Sequence, residues 1–336
     1  MAAYDTVVRG GTIATAGESF RGDIGIKDGK IAALGENLPK AEVDIDARGR
    51  LVTPGGIDAH CHVAQLSGMG VMGEAPKLSP QESIQFAETC LKRVAGKVPV
   101  IVGVSAAGNR NLGNFAKKVM DMGAGGVMVA PIAGLKTEEQ IEGYYAAIAK
   151  ELGDIPVVVQ DYPQLTNVHM SVGLLDRLFA QFPSFKVLKH EDQPGLRKLS
   201  KFRANAAKHG RRVSILVGNS ALYLPQEMRR GADGANTGFA YPEMLVECVN
   251  LFLAGKPEEA EDLYDLYLPV VRHEQQMGMG LAVRKEVLRR RGVIKSNHVR
   301  APGYAMDADD HKELDQLMAR LERKLAAVGR ATKTAA

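Results

Sequence analysis

Five apolar runs recur along the chain at an almost constant interval, and they constrain the fold more than any other feature. VPVIVGVSA, GGVMVAPI, IPVVVQDY, FKVLKHE and VSILVGNS begin at residues 98, 125, 155, 185 and 213, so successive starts lie 27 to 30 residues apart. The runs are largely continuous rather than alternating, which is how strands buried on both faces read. Segments of helical period such as SPQESIQFAETCLKRVAG stand before and between them, and a strand–helix repeat of this kind implies an α/β fold with a parallel sheet. No GxGxxG or GxxxxGK[ST] phosphate loop follows any strand, which argues against an open doubly wound sheet. The expectation is a (β/α)8 TIM-barrel type.

The flanks differ from this repeat. YDTVVRGGTIAT, GDIGIKDGKIAALG and AEVDIDARGRLVT alternate with period two and are cut by GG and DG turns, the signature of short half-buried strands. After Gly238 the pattern becomes helical, as in PEMLVECVNLFLAG, EEAEDLYDLYLPVVRHEQQ and DADDHKELDQLMARLERKLAAVG. Three regions are expected: a small β unit over residues 1–53, the barrel over 54–240 and a helical region over 241–330. A chain of 336 residues with 45% hydrophobic composition has enough apolar material for one large domain and an appendage.

Lys and Arg total 43 against 39 Asp and Glu, a mixed surface that implies no nucleic-acid partner. The most basic stretch, Arg284, Lys285 and Arg289 to Arg291, lies in a helical pattern and is expected to be a solvated face rather than a phosphate site. Cys61, Cys90 and Cys248 are odd in number, widely spaced and form no CxxC pair, which fits neither a disulfide framework nor a thiolate zinc site. The amino terminus lacks a basic-then-apolar signal pattern and no apolar run approaches the ~20 residues of a membrane span. A cytoplasmic protein without membrane association is expected.

In a (β/α) barrel the reactive groups sit where strands end at the carboxy-terminal rim. Lys189 closes an apolar strand, and burial there disfavours its ammonium form and makes the amine a usable nucleophile toward a ketone. Glu191 is two residues on and shares its face, placed to shuttle protons or orient water. Spacing alone fits equally a solvent-exposed strand-end ion pair. Tyr162 shares a face with Gln160, and either a catalytic role or rim packing with a wet hydroxyl accounts for it. Asn219, Ser220, Thr237 and Phe239 fall at the rim, although turn formation explains the Asn and Ser as well.

From Gly70 to about Gly303 the chain resembles the dihydrodipicolinate synthase/N-acetylneuraminate lyase family. The matching pieces are GVMGEAPKLSPQE, VPVIVGVSA, MGAGGVMVAP, IPVVVQDYP, FKVLKHED, ILVGNSALYLPQEMRRGADG and GLAVRKEVLRRRGVI. The resemblance implies a class I 2-keto-acid aldolase or dehydratase that needs no cofactor. Lys189 stands where that family carries its Schiff-base lysine. Gly70, Val71, Met72, Gly73 and Glu74 match its glycine-rich turn, whose backbone NH groups hold the keto-acid carboxylate. Val71 and Met72 replace the usual paired threonines, Gln160 stands at the position of a tyrosine, Ile132 and Ala133 follow the retained Pro131 in place of tyrosines, and Leu165 replaces an arginine tied to a dicarboxylic substrate. These departures point away from lysine biosynthesis and toward 2-keto-3-deoxy sugar acids, with Gln160, Tyr162 and Glu191 handling hydroxyls and protons. A small-molecule 2-keto-acid substrate and a homo-oligomer are what the resemblance implies.

A second resemblance competes. Residues 4–68, above all VTPGGIDAHCHV, resemble the opening of cyclic amidohydrolases such as hydantoinase, in which His60 and His62 would be metal ligands on one strand face. Two imidazoles fall short of the three protein ligands of a catalytic zinc, and Asp58 adds one weak ligand, so no metal is expected unless that reading holds. The two resemblances join near Ser67 to Gly70 with no helix evident between His62 and Gly70, which implies an altered first βα unit and exposed strand edges. Three functions stand: a Schiff-base lyase, a metal-dependent cyclic amidohydrolase, and an inactive hybrid with an incomplete barrel.

Overall fold

The alternating residues at the amino terminus and the continuous apolar runs build two different sheets. In this computed structural model the described residues are 3–14, 19–28, 30–49, 51–52, 74–208 and 212–332. They divide into two compact units, one drawn from residues 1–57 and 93–99 and the other from 58–92 and 100–336.

The first unit holds strands β1 (Thr6–Ala14), β2 (Ser19–Lys27), β3 (Lys30–Gly35), β4 (Val43–Asp46) and β5 (Leu51–Val52). Their order is β3-β2-β1-β4 with β5 also on β1, β1–β2 and β2–β3 being antiparallel and β4 and β5 parallel to β1. The register of β1 on β2 shifts between Val8 and Gly11, and Gly10 takes φ +64° there, a backbone state that glycine adopts at little cost. Buried Asp23 fixes this bulge by accepting from Gly10 N at 2.8 Å and Leu38 N at 3.1 Å.

The second unit begins with helix α1 (Pro80–Val94) and continues through β6 (Ile101–Gly103), α2 (Asn109–Asp121), β7 (Gly126–Val129), α3 (Glu138–Leu152), β8 (Val157–Asp161), α4 (Pro163–Thr166), α5 (Val172–Gln181), β9 (Phe185–His190), α6 (Leu196–Lys208), β10 (Ser214–Val217), α7 (Leu224–Arg229) and β11 (Gly234–Ala235). All five strand pairs are parallel and the order β6 to β11 follows the sequence. Because βαβ crossovers are right-handed, a strand order that never reverses puts every connecting helix on the same face. The helices also touch in sequence order: α2 on α3, α3 on α5, α5 on α6 and α6 on α7. One face of the sheet is therefore helix-covered and the other is the inner face of a curl.

Local signals set the helix ends. Thr137 and Gln140 form a capping box at the start of α3, which satisfies backbone donors that have no partner within the helix. Its apolar stripe, Ile141, Tyr144, Tyr145, Ile148 and Leu152, is buried, and edge-to-face contacts carry the aromatic core from Tyr145 to Phe185 and Phe179. The fully buried β7 and β8 explain why their sequences do not alternate. The first βα unit, whose altered form the sequence implies, lies outside the described residues.

Four helices complete the unit: α8 (Pro242–Leu253), α9 (Pro257–Glu274), α10 (Gly280–Arg290) and α11 (Ala308–Ala327). No described helix is long and apolar enough to cross a membrane. The basic stretch of α10 is not the solvated face its pattern implied. Arg284 and Arg290 are largely buried and Arg291 is buried, its guanidinium 4.4 Å above the Tyr241 ring and paired with Glu243 at 2.5 Å. Tertiary partners, invisible to helical periodicity, supply the counter-charges of Arg284, Lys285 and Arg291, whereas Arg289 stays exposed and pairs within the helix.

Glu286 anchors this region. Its side chain is 1% exposed and accepts from Arg289, Arg290 and Asn297. The Arg289 hydrogen bond first, and then the other guanidinium, hold its carboxyl down to about 2 against the opposing effect of burial. A carboxyl lowered on folding adds stability above its unfolded value, and that stability disappears as pH falls through the folded value. Stability against thermal unfolding should therefore fall between about pH 4.5 and pH 2 by an amount on the order of 1–2 kcal/mol, after allowance for the exposed Arg289. Glu286→Gln should flatten that part of the profile, as read by calorimetry across the pH range.

Candidate active site

The strand register brings the predicted polar residues together. Gln160 is the neighbour of Lys189 and Asp161 that of His190 across β8 and β9. Alternation then sorts them onto two faces. Asp161 and His190 face the helices: Lys198 on α6 lies 2.6 Å from Asp161 Oδ2, and His190 Nε2 lies 3.1 Å from the Gly195 carbonyl. Lys189, Glu191, Gln160 and Tyr162 consequently line the inner face. All four are buried, so Lys189 and Glu191 are not a solvent-exposed pair and the Tyr162 hydroxyl is not a wet rim group.

Glu191 is the hub. Its Oε1 accepts from Gln160 Nε2 at 2.6 Å and lies 3.3 Å from Lys189 Nζ, while its Oε2 accepts from Asn219 N at 3.2 Å. Asn219 Nδ2 donates to the Glu191 carbonyl at 2.6 Å. Gly218 makes room for this, because a Cβ there would stand 2.1 Å from Glu191 Oε2. Among the described residues Gln160 Oε1 has no hydrogen-bond partner, leaving a buried acceptor on the inner face.

Asn219 does form a turn, and the same turn delivers its donors to Glu191. Asn219, Ser220 and Ala221 take φ of 52°, 51° and 61°, the left-handed region that costs a non-glycine residue roughly 1–2 kcal/mol. Tyr264 Oη on α9 donates to the Ala221 carbonyl at 2.9 Å and Arg284 Nη2 to Ser220 Oγ at 2.9 Å. Sequence reasoning placed Asn219 but missed Gly218, Tyr264 and Arg284, whose roles depend on what packs above them.

Charges nearby tune two protons. Burial and then the Glu191 charge push the Tyr162 phenol up to about 12, with Arg284 opposing, so the hydroxyl keeps its proton at neutral pH. Burial also pushes Glu227 on α7 up to about 7, opposed by His190 and reinforced by Glu191.

The remaining predicted residues fall elsewhere. Thr237 is buried two residues past β11. Phe239 is buried in an aromatic cluster with Tyr241 and Tyr267, four residues past β11. The Glu74 carboxylate bonds to Lys285 Nζ and to Arg300 N at 2.7 Å, fastening Glu74 to α10 and the segment that follows it. Gly70, Val71, Met72, Gly73, Asp58, His60 and His62 lie outside the described residues. Among the described residues no group of three or more His, Cys, Asp or Glu side chains is placed to hold a metal ion.

The model of the dihydrodipicolinate synthetase family matches residues 59–321. An L-2-keto-3-deoxyarabonate dehydratase of Azospirillum brasilense is 28% identical over 292 residues, covering 84% of this chain and 90% of the relative. A 4-hydroxy-tetrahydrodipicolinate synthase of Aquifex aeolicus is 27% identical, covering 70% and 78%. Among solved structures, a dihydrodipicolinate synthase from Rhodopseudomonas palustris is 41% identical with a TM-score of 0.73, covering 79% of this chain and 90% of that one. The family match begins at residue 59, and the amidohydrolase resemblance of residues 4–68 gains no support from these comparisons.

Both space and backbone favour glycine at 218, since a Cβ there would meet Glu191 and its φ of −116° with ψ of −136° lies outside the main allowed regions for other residues. Gly218→Ala should displace Glu191 and cost about 1–3 kcal/mol, read as a lower urea midpoint. Gly143→Ala, in α3 with nothing near its Cβ position, should instead gain up to about 1 kcal/mol.

Proposed function

Because the chain belongs to the dihydrodipicolinate synthetase family of lyases, we propose that it takes a 2-keto acid, specifically a 2-keto-3-deoxy sugar acid, as an imine on Lys189 and eliminates water from it. The observation that carries this reading is the buried Lys189 amine held 3.3 Å from a carboxylate whose other contacts are all hydrogen-bond donors.

Glu191 is placed to take a proton from the Lys189 ammonium, and the free amine then adds to the C2 carbonyl. Tyr162, protonated at neutral pH, supplies the proton with which the C2 oxygen leaves as water. The proton first taken from Lys189 passes from Glu191 back to the Tyr162 phenolate, which resets both groups; the protonated imine then draws electrons from C3, Glu191 accepts the C3 proton, and the electron pair becomes an enamine. Expulsion of the C4 hydroxyl, protonated by Tyr162, completes dehydration, and water hydrolyses the imine to free Lys189. In the aldolase alternative the C4 hydroxyl loses its proton and the C3–C4 bond breaks. The similarity to the Azospirillum brasilense dehydratase supports elimination. The orphan Gln160 Oε1 supports recognition of a substrate hydroxyl, because a buried acceptor left unpaired favours a ligand that donates to it.

The substrate carboxylate is assigned to the backbone NH groups of Gly70 to Glu74. The full reading is a closed (β/α)8 barrel over 54–240 between a β unit over 1–53 and helices over 241–330, acting as a homo-oligomer. A reducing cytoplasmic setting fits the free Cys90 and Cys248.

Borohydride trapping tests the central step. Incubation with pyruvate or 2-keto-3-deoxyarabonate and borohydride should leave a stable adduct that peptide mapping locates at Lys189. Lys189→Ala should form none and lose activity by roughly 10³-fold or more. Folded parent protein that traps neither acid would overturn the assignment.

A further inference from the structure

We propose that Arg284 is a positioning residue for this chemistry: through Ser220 it holds the turn Asn219–Ala221 in the conformation that delivers two donors to Glu191. The inference rests on the Schiff-base reading and concerns a residue on α10, outside the strand ends that carry the reacting groups.

Three consecutive non-glycine residues with φ between 51° and 61° do not hold themselves in that state. They persist where surrounding structure over-determines them. On one side the turn gives Asn219 N and Nδ2 to Glu191 at 3.2 and 2.6 Å, and Gln275 Nε2 approaches Asn219 Oδ1 at 3.5 Å. On the other side Arg284 Nη2 donates to Ser220 Oγ at 2.9 Å. Among the described residues Glu191 is the one carboxylate in ion-pair range of Lys189, so whatever fixes this turn also restrains, through Oε2, the carboxylate whose Oε1 faces the amine.

Arg284 is itself rigidly held. Its Nε donates at 2.5 Å to Glu274, a carboxylate with a fully buried side chain whose second oxygen accepts from Ala240 N at 3.0 Å. Its Nη1 packs where a Cβ of Gly238 would stand, 2.1 Å away. One planar fork thus joins the segment after β10 to the segment after β11. A lysine offers a single ammonium and cannot reproduce two divergent, coplanar bonds. The helical period of GLAVRKEVLRRRG gives no hint of this, since the partners lie on α9 and after β10.

Two variants test the role without leaving a buried charge unpaired: Ser220→Ala, which removes only the Arg284 contact, and Arg284→Gln combined with Glu274→Gln. Both are compared with the parent by hydrogen exchange of the peptide containing Asn219–Ala221, by kcat and KM on 2-keto-3-deoxyarabonate, and by pyruvate trapping. The expected result is about tenfold loss of protection in that peptide and about tenfold lower kcat, since sub-ångström misplacement of a catalytic group costs this much or more. KM, the global unfolding midpoint of Ser220→Ala and adduct formation at Lys189 should stay near parental. Unchanged protection overturns the proposal, and so does lost protection with kcat within twofold of the parent. A parent protein that forms no adduct sinks the lyase reading instead, and exchange alone then decides whether Arg284 holds the turn.

Discussion

A buried ammonium facing a buried carboxylate is the constraint from which the rest of the site follows. Taking both charges of the Lys189–Glu191 pair out of water costs several kcal/mol per ion, and their mutual attraction offsets this only when the remaining lone pairs find donors. The protein supplies those donors from two strand ends, Gln160 Nε2 near the end of β8 and the Asn219 amide after β10, while the Asn219 carboxamide donates to the Glu191 main-chain carbonyl. The need to satisfy one carboxylate accounts for an otherwise costly left-handed turn and for a glycine at 218.

The period-two geometry of β8 and β9 keeps this inner cluster apart from a second one. Asp161 and His190 alternate with Gln160 and Lys189 and face the helix side, where Lys198 pairs with Asp161 and Asp192 and His190 meets the Gly195 carbonyl. The carboxy-terminal helices extend the support, since Tyr264, Glu274 and Arg284 reach from α9 and α10 to the segments after β10 and β11. Residues distant in sequence from the lysine therefore bond to the segments that surround it.

Much of the fold was legible because its signals are local. The five continuous apolar runs marked β6 to β10, the alternating GG- and DG-punctuated segments marked β1 to β5, and the helical region after Gly238 was evident from its period. Lys189, Glu191, Gln160 and Tyr162 could be grouped because two-residue spacing places side chains on one strand face. The stretch from Arg284 to Arg291 misled, because a helical pattern reports which residues share a face but not what packs against it. The same blindness hid the tilted and edge-on ring contacts that Phe239 makes with Tyr241 and Tyr267.

By itself the sequence determined a parallel α/β sheet, family membership over residues 59–321 and the set of polar residues carried on strand ends. Those depend on periodicity and order along the chain, which are one-dimensional properties. Only the tertiary structure decided that the Lys189–Glu191 pair is buried, that Gly218 must lack a side chain, and that Arg284 belongs to the site's support. Burial and hydrogen-bond satisfaction are set by atoms from segments far apart in sequence, and no local pattern records which of them will meet.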